Sequence, residues 1–205
     1  MTILIIIVNV IVSVYAFQKP NLIHQFSFNP YQIRTHNQYY RFVTSGFLHG
    51  DWYHLLFNMF SFYSFGCILE DYFSNIFGMY GQFMFLALYF LGLILSDLPS
   101  FFSHPNAKQY HSIGASGAVS SIVYACIILN PLGGIRLFML PFDIPGFIFG
   151  GIYLLFCQYQ SKQMTDNINH NAHFWGALVG VAFMAISHPI SMVDFITAIS
   201  GWRPF

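Results

Sequence analysis

Six apolar stretches, 2–17, 52–70, 79–96, 115–130, 145–158 and 172–187, alternate with polar or breaker-rich connections along the chain. Each approaches the roughly 20 residues a helix needs to cross a hydrocarbon core of about 30 Å. Lipid offers no hydrogen bonds to the backbone, so such stretches fold as helices that pair their own N–H and C=O groups. The expected fold is therefore an all-α membrane protein, a six-transmembrane-helix bundle forming a single domain over 1–205, with a long structured first loop. Charge agrees with this: 7% of the 205 residues are charged, against about 25% in a soluble domain. Seven basic and seven acidic residues leave no net charge and no basic stripe for phosphates, so the expected surroundings are a lipid bilayer and no nucleic acid.

The connections carry signals of their own. Residues 21–51 hold Arg34, Arg41, His24, His36 and His49 among many aromatics, and a connection this long tends to be functional or to contain structure. Aromatic rings suit the headgroup layer, which predicts short interfacial helices there. Asp51 is placed to cap the second stretch, Glu70-Asp71 closes it, Asp97 and Pro99 close the third, and Pro131 to Gly134 stop the fourth. The fourth stretch spans only about 24 Å as a helix, so its first residues are expected below the membrane surface. Leu137–Leu140 and the tail from Ile190 are expected on the interface. A cleaved signal peptide is the alternative for 2–17, but it has no basic n-region and Val14-Tyr15-Ala16 is a poor cleavage site. Cys67, Cys126 and Cys157 are isolated in apolar segments, which predicts buried small hydrophobes rather than a disulfide framework or a metal pair. No metal and no cofactor are expected.

Polar groups inside apolar stretches are costly enough to be functional candidates. Three sets stand at helix starts. Gly114-Ala115-Ser116-Gly117 opens the fourth stretch, His54 and Asn58 lie one helical turn apart in the second, and His173 opens the sixth. Helices two, four and six run in the same direction, so all three sets fall on one face of the bundle. Gly117, Ser121 and Ala125 recur every four residues, as do Ala172, Gly176 and Gly180, and two such stripes let backbones approach closely. Ser116 and His173 each adjoin the top of a stripe. A hydroxyl needs a base to become a nucleophile, and imidazole has the right pKa. Asn58, His54 and the Ser116 N–H could donate to a developing oxyanion. No carboxylate is placed to orient His173, which predicts a dyad.

These residues resemble the motifs of the rhomboid family of intramembrane serine proteases, over nearly the whole chain. The family's H-x-x-x-x-H-x-x-x-N reads as His49, His54 and Asn58, its G-x-S-G as Gly114, Ser116 and Gly117, and its A-H-x-x-G-x-x-x-G as Ala172, His173, Gly176 and Gly180. The resemblance implies a rhomboid bundle with Ser116 as nucleophile, His173 as general base, His54 and Asn58 as oxyanion donors, and transmembrane proteins as substrates. It also implies structural roles for Arg41 and Glu70. Two positions depart from the family. Its first-loop Trp-Arg is Tyr40-Arg41 here, and the tyrosine that in some bacterial members supports the histidine from four residues after the nucleophile is Ser120. Support for the His173 ring is then expected from Phe174, Trp175 or Tyr124.

The family orientation, with a cytoplasmic N-terminus in the cell membrane, puts Lys19, Arg34, Arg41, Lys108 and Lys162 outside, against the positive-inside rule. The family orientation is preferred, because the first loop can fold as a unit. The gate is expected in the Gly146–Cys157 helix and the loop after it. The rivals are a catalytically inactive rhomboid-like protein that binds membrane clients, a histidine-rich metal or haem protein, and a transporter. Haem ligands would face one another across the core, whereas His24, His36, His104, His111, His170 and His188 fall in loops or at ends. A proton-coupled transporter would place carboxylates at mid-helix. The sequence does not fix the oligomeric state.

Overall fold

A computed structural model describes residues 1–136, 141–163 and 169–203. Its elements are helical apart from one hairpin, β1 (Gly134–Arg136) antiparallel to β2 (Asp143–Pro145). The Leu137–Leu140 stretch lies outside the described residues. After α1 (Thr2–Phe17) the first connection folds into α2 (Pro20–Phe26), α3 (Pro30–His36), α4 (Arg41–Thr44) and a 3-10 turn at Ser45–Phe47. Pro20 and Pro30 each stand at the first position of a helix, where a missing N–H costs nothing. Phe28, Ile33 and Phe42 form a small core of their own against Ile94, Leu98, Phe101 and Tyr110. Arg41 is buried in the same loop, donating to the carbonyls of His24 (3.1 Å) and Ser27 (2.7 Å) and to Gln38 Oε1 (2.7 Å). The expected interfacial helices are thus part of a loop with its own packing.

The second and third apolar stretches become α5 (Trp52–Phe77) and α6 (Gly81–Ser103), both longer than their hydropathy marks. Asp51 caps α5 by accepting from the His54 N–H at 2.8 Å. The helix passes Glu70 and stops at Gly78, whose φ of 55° suits glycine. Pro99 lies inside α6; it removes one N–H bond without ending the helix, which runs a further turn to Ser103. Phe62 meets both Phe85 (ring centroids 6.2 Å) and Tyr89 (5.4 Å), so the two helices pack against each other. Glu70 clasps α1, accepting from the Thr2 N–H (2.9 Å) and hydroxyl (2.8 Å) and pairing with the Met1 amine.

The centre is α7 (Ser116–Leu129), packed against α5, α6 and α9 (His170–Ser187), with residues Gly117–Ile122 and Tyr124–Ile128 all buried. Small residues make this possible. A methyl added at Gly176 would overlap the Gly117 carbonyl, and one at Gly180 would overlap the Ser121 carbonyl. The predicted stripes therefore face each other, backbone on backbone. On the remaining flank, α8 (Gly146–Gln163) leans on α9, while α10 (Ile190–Gly201) follows α9 after a bend of 114°.

Among the described residues, Trp52–Ser103 is the helical stretch long and apolar enough to cross a membrane, and bent α9–α10 is a second. At 16 and 14 residues, α1 and α7 are shorter apolar helices. Ile3, Ile7 and Ile11 on α1, Phe57 and Phe60 on α5, and Ile152 and Leu155 on α8 are exposed, giving the bundle an apolar outer surface suited to lipid.

Overlap at the helix contact has a measurable cost. Gly176→Val is expected to destabilise the protein by about 1–3 kcal/mol or more through overpacking. Gly151→Val, where a Cβ meets nothing within 4 Å, is expected to change stability little. Thermal unfolding of the two variants in detergent checks the difference.

Candidate active site

Ser116 is the first residue of α7, and no side chain caps this helix start. The chain enters through Gly114 at φ 121°, a conformation open to glycine. Gly114 is needed for space as well, since a Cβ there would stand 2.8 Å from His54 Nε2 and 3.9 Å from Ser116 Oγ. The imidazole and the hydroxyl thus flank the same backbone atom. Two ties hold this entry loop: Gly114 N–H donates to the Ser45 carbonyl (3.0 Å), and Ser112 bridges Phe28 through a pair of backbone bonds (2.9 and 3.1 Å). The long first loop is thereby fastened to the strand of chain that presents Ser116.

His54 has a defined tautomer. Its Nδ1 accepts from the Gly50 N–H at 3.4 Å, so the ring proton sits on Nε2, the atom beside Gly114. Asn58, buried one turn later, gives one amide N–H to the His54 carbonyl (3.0 Å), which leaves the second amide N–H of its inventory. Behind them, His49 is fully buried with Nδ1 2.8 Å from Ser13 Oγ. The Ser13 hydroxyl donates its one hydrogen to the Phe47 carbonyl (3.0 Å), so His49 Nδ1–H is the donor in that pair. The His49 ring lies edge-on to that of His54 at 5.0 Å. Burial, and secondarily the neighbouring His54, push the His49 pKa down to about 3. His49 therefore holds α1, the first loop and His54 together as a neutral ring.

On the other side, α9 is capped by Asn169, whose Oδ1 accepts from the Ala172 N–H (3.1 Å) while its Nδ2 donates to Ser112 Oγ (3.0 Å). This cap fixes the first turn of α9, and with it His173, against the loop that precedes Ser116. His173 Nδ1 lies 2.9 Å from the Tyr153 hydroxyl, and the two rings are nearly parallel, at 18° with centroids 6.3 Å apart. Phe149, one turn earlier on the same helix, stacks on Tyr153 at 5.8 Å and 10°. The expectation of Phe174, Trp175 or Tyr124 as the support is corrected. Residues one and two places after His173 point about 100° and 200° around the helix. Phe174 and Trp175 accordingly pack on each other (5.7 Å), and Trp175 is exposed. Tyr124 donates instead to the Gly150 carbonyl (2.6 Å) and anchors α8 to α7.

Ser116, His173, His54 and Asn58 all line one cavity of about 1180 Å³, together with Ser120, Tyr153, His24, His104, His111 and His170. Near the cavity wall, His111 Nδ1 is 2.8 Å from Ser27 Oγ, and burial followed by the charges of His24 and Arg41 pushes its pKa down. A second, far smaller space of about 10 Å³ lies behind Ser116 between Ser45, Ser96, Asp97 and Ser112, the size of a single water. Gly117, Gly176 and Gly180 set the helix spacing, Glu70 lies at the far end of α5, and Arg41, in the first loop, does not line the cavity itself but holds the carbonyls of His24 and Ser27, which do. Nothing in the sequence marks Tyr153 among the other aromatics, while an Asn three residues before a helical Ala is a signal for the Asn169 cap. Among the described residues, Cys157, His170 and His173 form a group with metal-ligand chemistry at short mutual distance.

Residues 36–190 match the Rhomboid domain family. The chain is 29% identical over 164 residues to Rhomboid-like protein 11, chloroplastic, of Arabidopsis thaliana, covering 71% of this chain and 51% of that protein. It is 26% identical over 152 residues to the human Presenilin-associated rhomboid-like protein, mitochondrial, covering 72% of this chain and 38% of that protein. The mouse counterpart is 27% identical over the same length and coverage. The chain thus spans about half the length of the plant relative and less of the mitochondrial ones.

The buried neutral His49 makes stability depend on pH. The unfolded chain takes up a proton at this residue near 6.5, the folded chain only near 3, so between these values the unfolded state binds more protons and stability falls as the pH drops. Lowering the pH from 7 to 5 is expected to cost roughly 2 kcal/mol from this group. His49→Gln is expected to remove that part of the slope in thermal midpoints recorded across the range.

Proposed function

The chain belongs to the rhomboid family, and we propose that it is an intramembrane serine endopeptidase that cleaves transmembrane segments. The observation that carries this reading is the convergence of Ser116, His173, His54 and Asn58, from three helices, on one cavity. The proposed architecture is six spans in one domain, with α1, α5, α6, α7, α8 and α9 crossing and α10 lying at the interface. The relatives are named for the chloroplast and the mitochondrion, so the cell membrane gains no support, and the proposal is confined to an integral-membrane location.

In this mechanism the Tyr153 hydroxyl accepts a hydrogen bond from His173 Nδ1–H, which leaves the Nε2 lone pair to take the Ser116 proton. Ser116 Oγ attacks the scissile carbonyl and forms a tetrahedral intermediate. Its oxyanion receives His54 Nε2–H, the Asn58 amide and the unpaired N–H at the start of α7. Collapse expels the amine, which takes its proton from His173, and leaves an acyl-enzyme on Ser116. Water entering by the polar cavity, deprotonated by the same imidazole, then releases the acid. Tyr153 fills the role of the orienting third group, as a neutral hydroxyl in place of a carboxylate.

With a transmembrane reporter substrate in detergent or liposomes, Ser116→Ala and His173→Ala are expected to reduce cleavage to background. Undiminished cleavage by Ser116→Ala would exclude the assignment. Asn58→Ala is expected to slow turnover by at most about 10²–10³-fold, the cost of one oxyanion donor. Tyr153→Phe keeps the stacked ring and loses the hydroxyl, and is expected to lower kcat about fivefold, the worth of one neutral hydrogen bond of about 1 kcal/mol.

A further inference from the structure

We propose that Cys157, His170 and His173 form a binding site for a soft divalent cation of the zinc class, and that occupancy silences the serine by taking its base. The three side chains come from α8 and α9, and the ligand atoms they offer all lie within 4.8 Å of one another. A tetrahedral ion with bonds of about 2.0–2.3 Å holds its ligands about 3.5 Å apart, so side-chain rotation has to close roughly the last ångström. One thiolate and two imidazoles are the donor set that zinc prefers, and the absence of a carboxylate from the group disfavours magnesium and calcium. Three protein ligands leave a fourth position for water or another small ligand.

Burial strengthens the case. Cys157 is fully buried and His170 is 6% exposed, so two of the three ligands meet little bulk water, while the partly exposed His173 faces the cavity. Access is provided by the main cavity, which His170 and His173 line together with His24, His104 and His111. His170 and His173 stand one helical turn apart with rings 5.8 Å apart, a spacing that lets both converge on one point. On binding, the Cys157 thiol releases its proton to water and both imidazoles enter neutral, so affinity rises with pH.

The effect on His173 is the same through either nitrogen. An ion on Nε2 uses the lone pair that would accept the Ser116 proton. An ion on Nδ1 displaces the Tyr153 contact and leaves the remaining ring proton on Nε2. This inhibitory consequence rests on the protease reading; metal binding itself does not.

The test uses the full chain in detergent, without affinity-tag histidines, and cobalt(II) as a spectroscopic substitute for zinc. The expected result is a thiolate-to-cobalt charge-transfer absorption that saturates at one ion per chain. It is expected to vanish in Cys157→Ala, to weaken at least tenfold in apparent affinity in His170→Ala, and to persist in Ser116→Ala. In the cleavage assay, zinc is expected to lower the wild-type rate at least tenfold, reversibly with a chelator. Cys157→Ala and His170→Ala are expected to escape inhibition, the rate of each with zinc being compared with the rate of the same variant in chelator. No thiolate–cobalt absorption in the wild type would overturn the site, whatever the protease activity. Absorption without inhibition in an active enzyme, or equal zinc inhibition in both variants, would overturn the regulatory role.

Discussion

The arrangement depends on a contact without side chains, where the backbones of Gly176 and Gly180 on α9 meet those of Gly117 and Ser121 on α7. Inside a bilayer the surrounding chains are as apolar as the helices, so association relies on close packing rather than on release of water. Only at this spacing does the first turn of α9 stand beside the first turn of α7, with His173 and Ser116 facing one cavity. Gly92 on α6 meets Ser121, and Gly117 also faces Ser96, so α7 is held on two sides by small residues. The serine sits at the open end of this helix, where no side chain caps it and the first N–H groups have no partner within the helix.

Around that contact, hydrogen-bond partners meet each histidine ring at a defined nitrogen. The Gly50 N–H fixes the proton of His54 on Nε2, Ser13 fixes that of His49 on Nδ1, and Tyr153 meets His173 at Nδ1. Neutral rings with assigned protons can offer donors and an acceptor with no charge of their own to desolvate, and the buried carboxylate nearby, Asp97, lines the small space behind Ser116. The first loop contributes by knitting: Arg41 satisfies two carbonyls, and the Phe28–Ser112 bridge joins the loop to the entry of α7.

Much of this was legible in the order of residues. The four-residue recurrence of small side chains identified the α7–α9 contact, and the His54–Asn58 spacing placed both on one helical face. Less legible were the helix ends, because hydropathy marks the depth of lipid whereas α5 and α6 continue until geometry stops them at Gly78 and Ser103. Least legible was anything that depends on how α8 rests against α9. Tyr153 reads as one aromatic among many in an apolar span, and Cys157 as a buried hydrophobe, until the tertiary contact brings one to the His173 ring and the other within 4.8 Å of both His170 and His173. The helix expected from sequence to act as a gate thus also carries Tyr153, whose hydroxyl meets His173 Nδ1, so any movement of α8 would alter that contact.

The central claim is that Ser116 is an activated nucleophile. A fluorophosphonate probe applied to the folded protein, followed by peptide mapping in a mass spectrometer, measures this without knowledge of the substrate. The account predicts stoichiometric modification of Ser116, abolished by denaturation and by His173→Ala. An unmodified Ser116, a label on another serine such as Ser120, or labelling that persists undiminished in His173→Ala would contradict it.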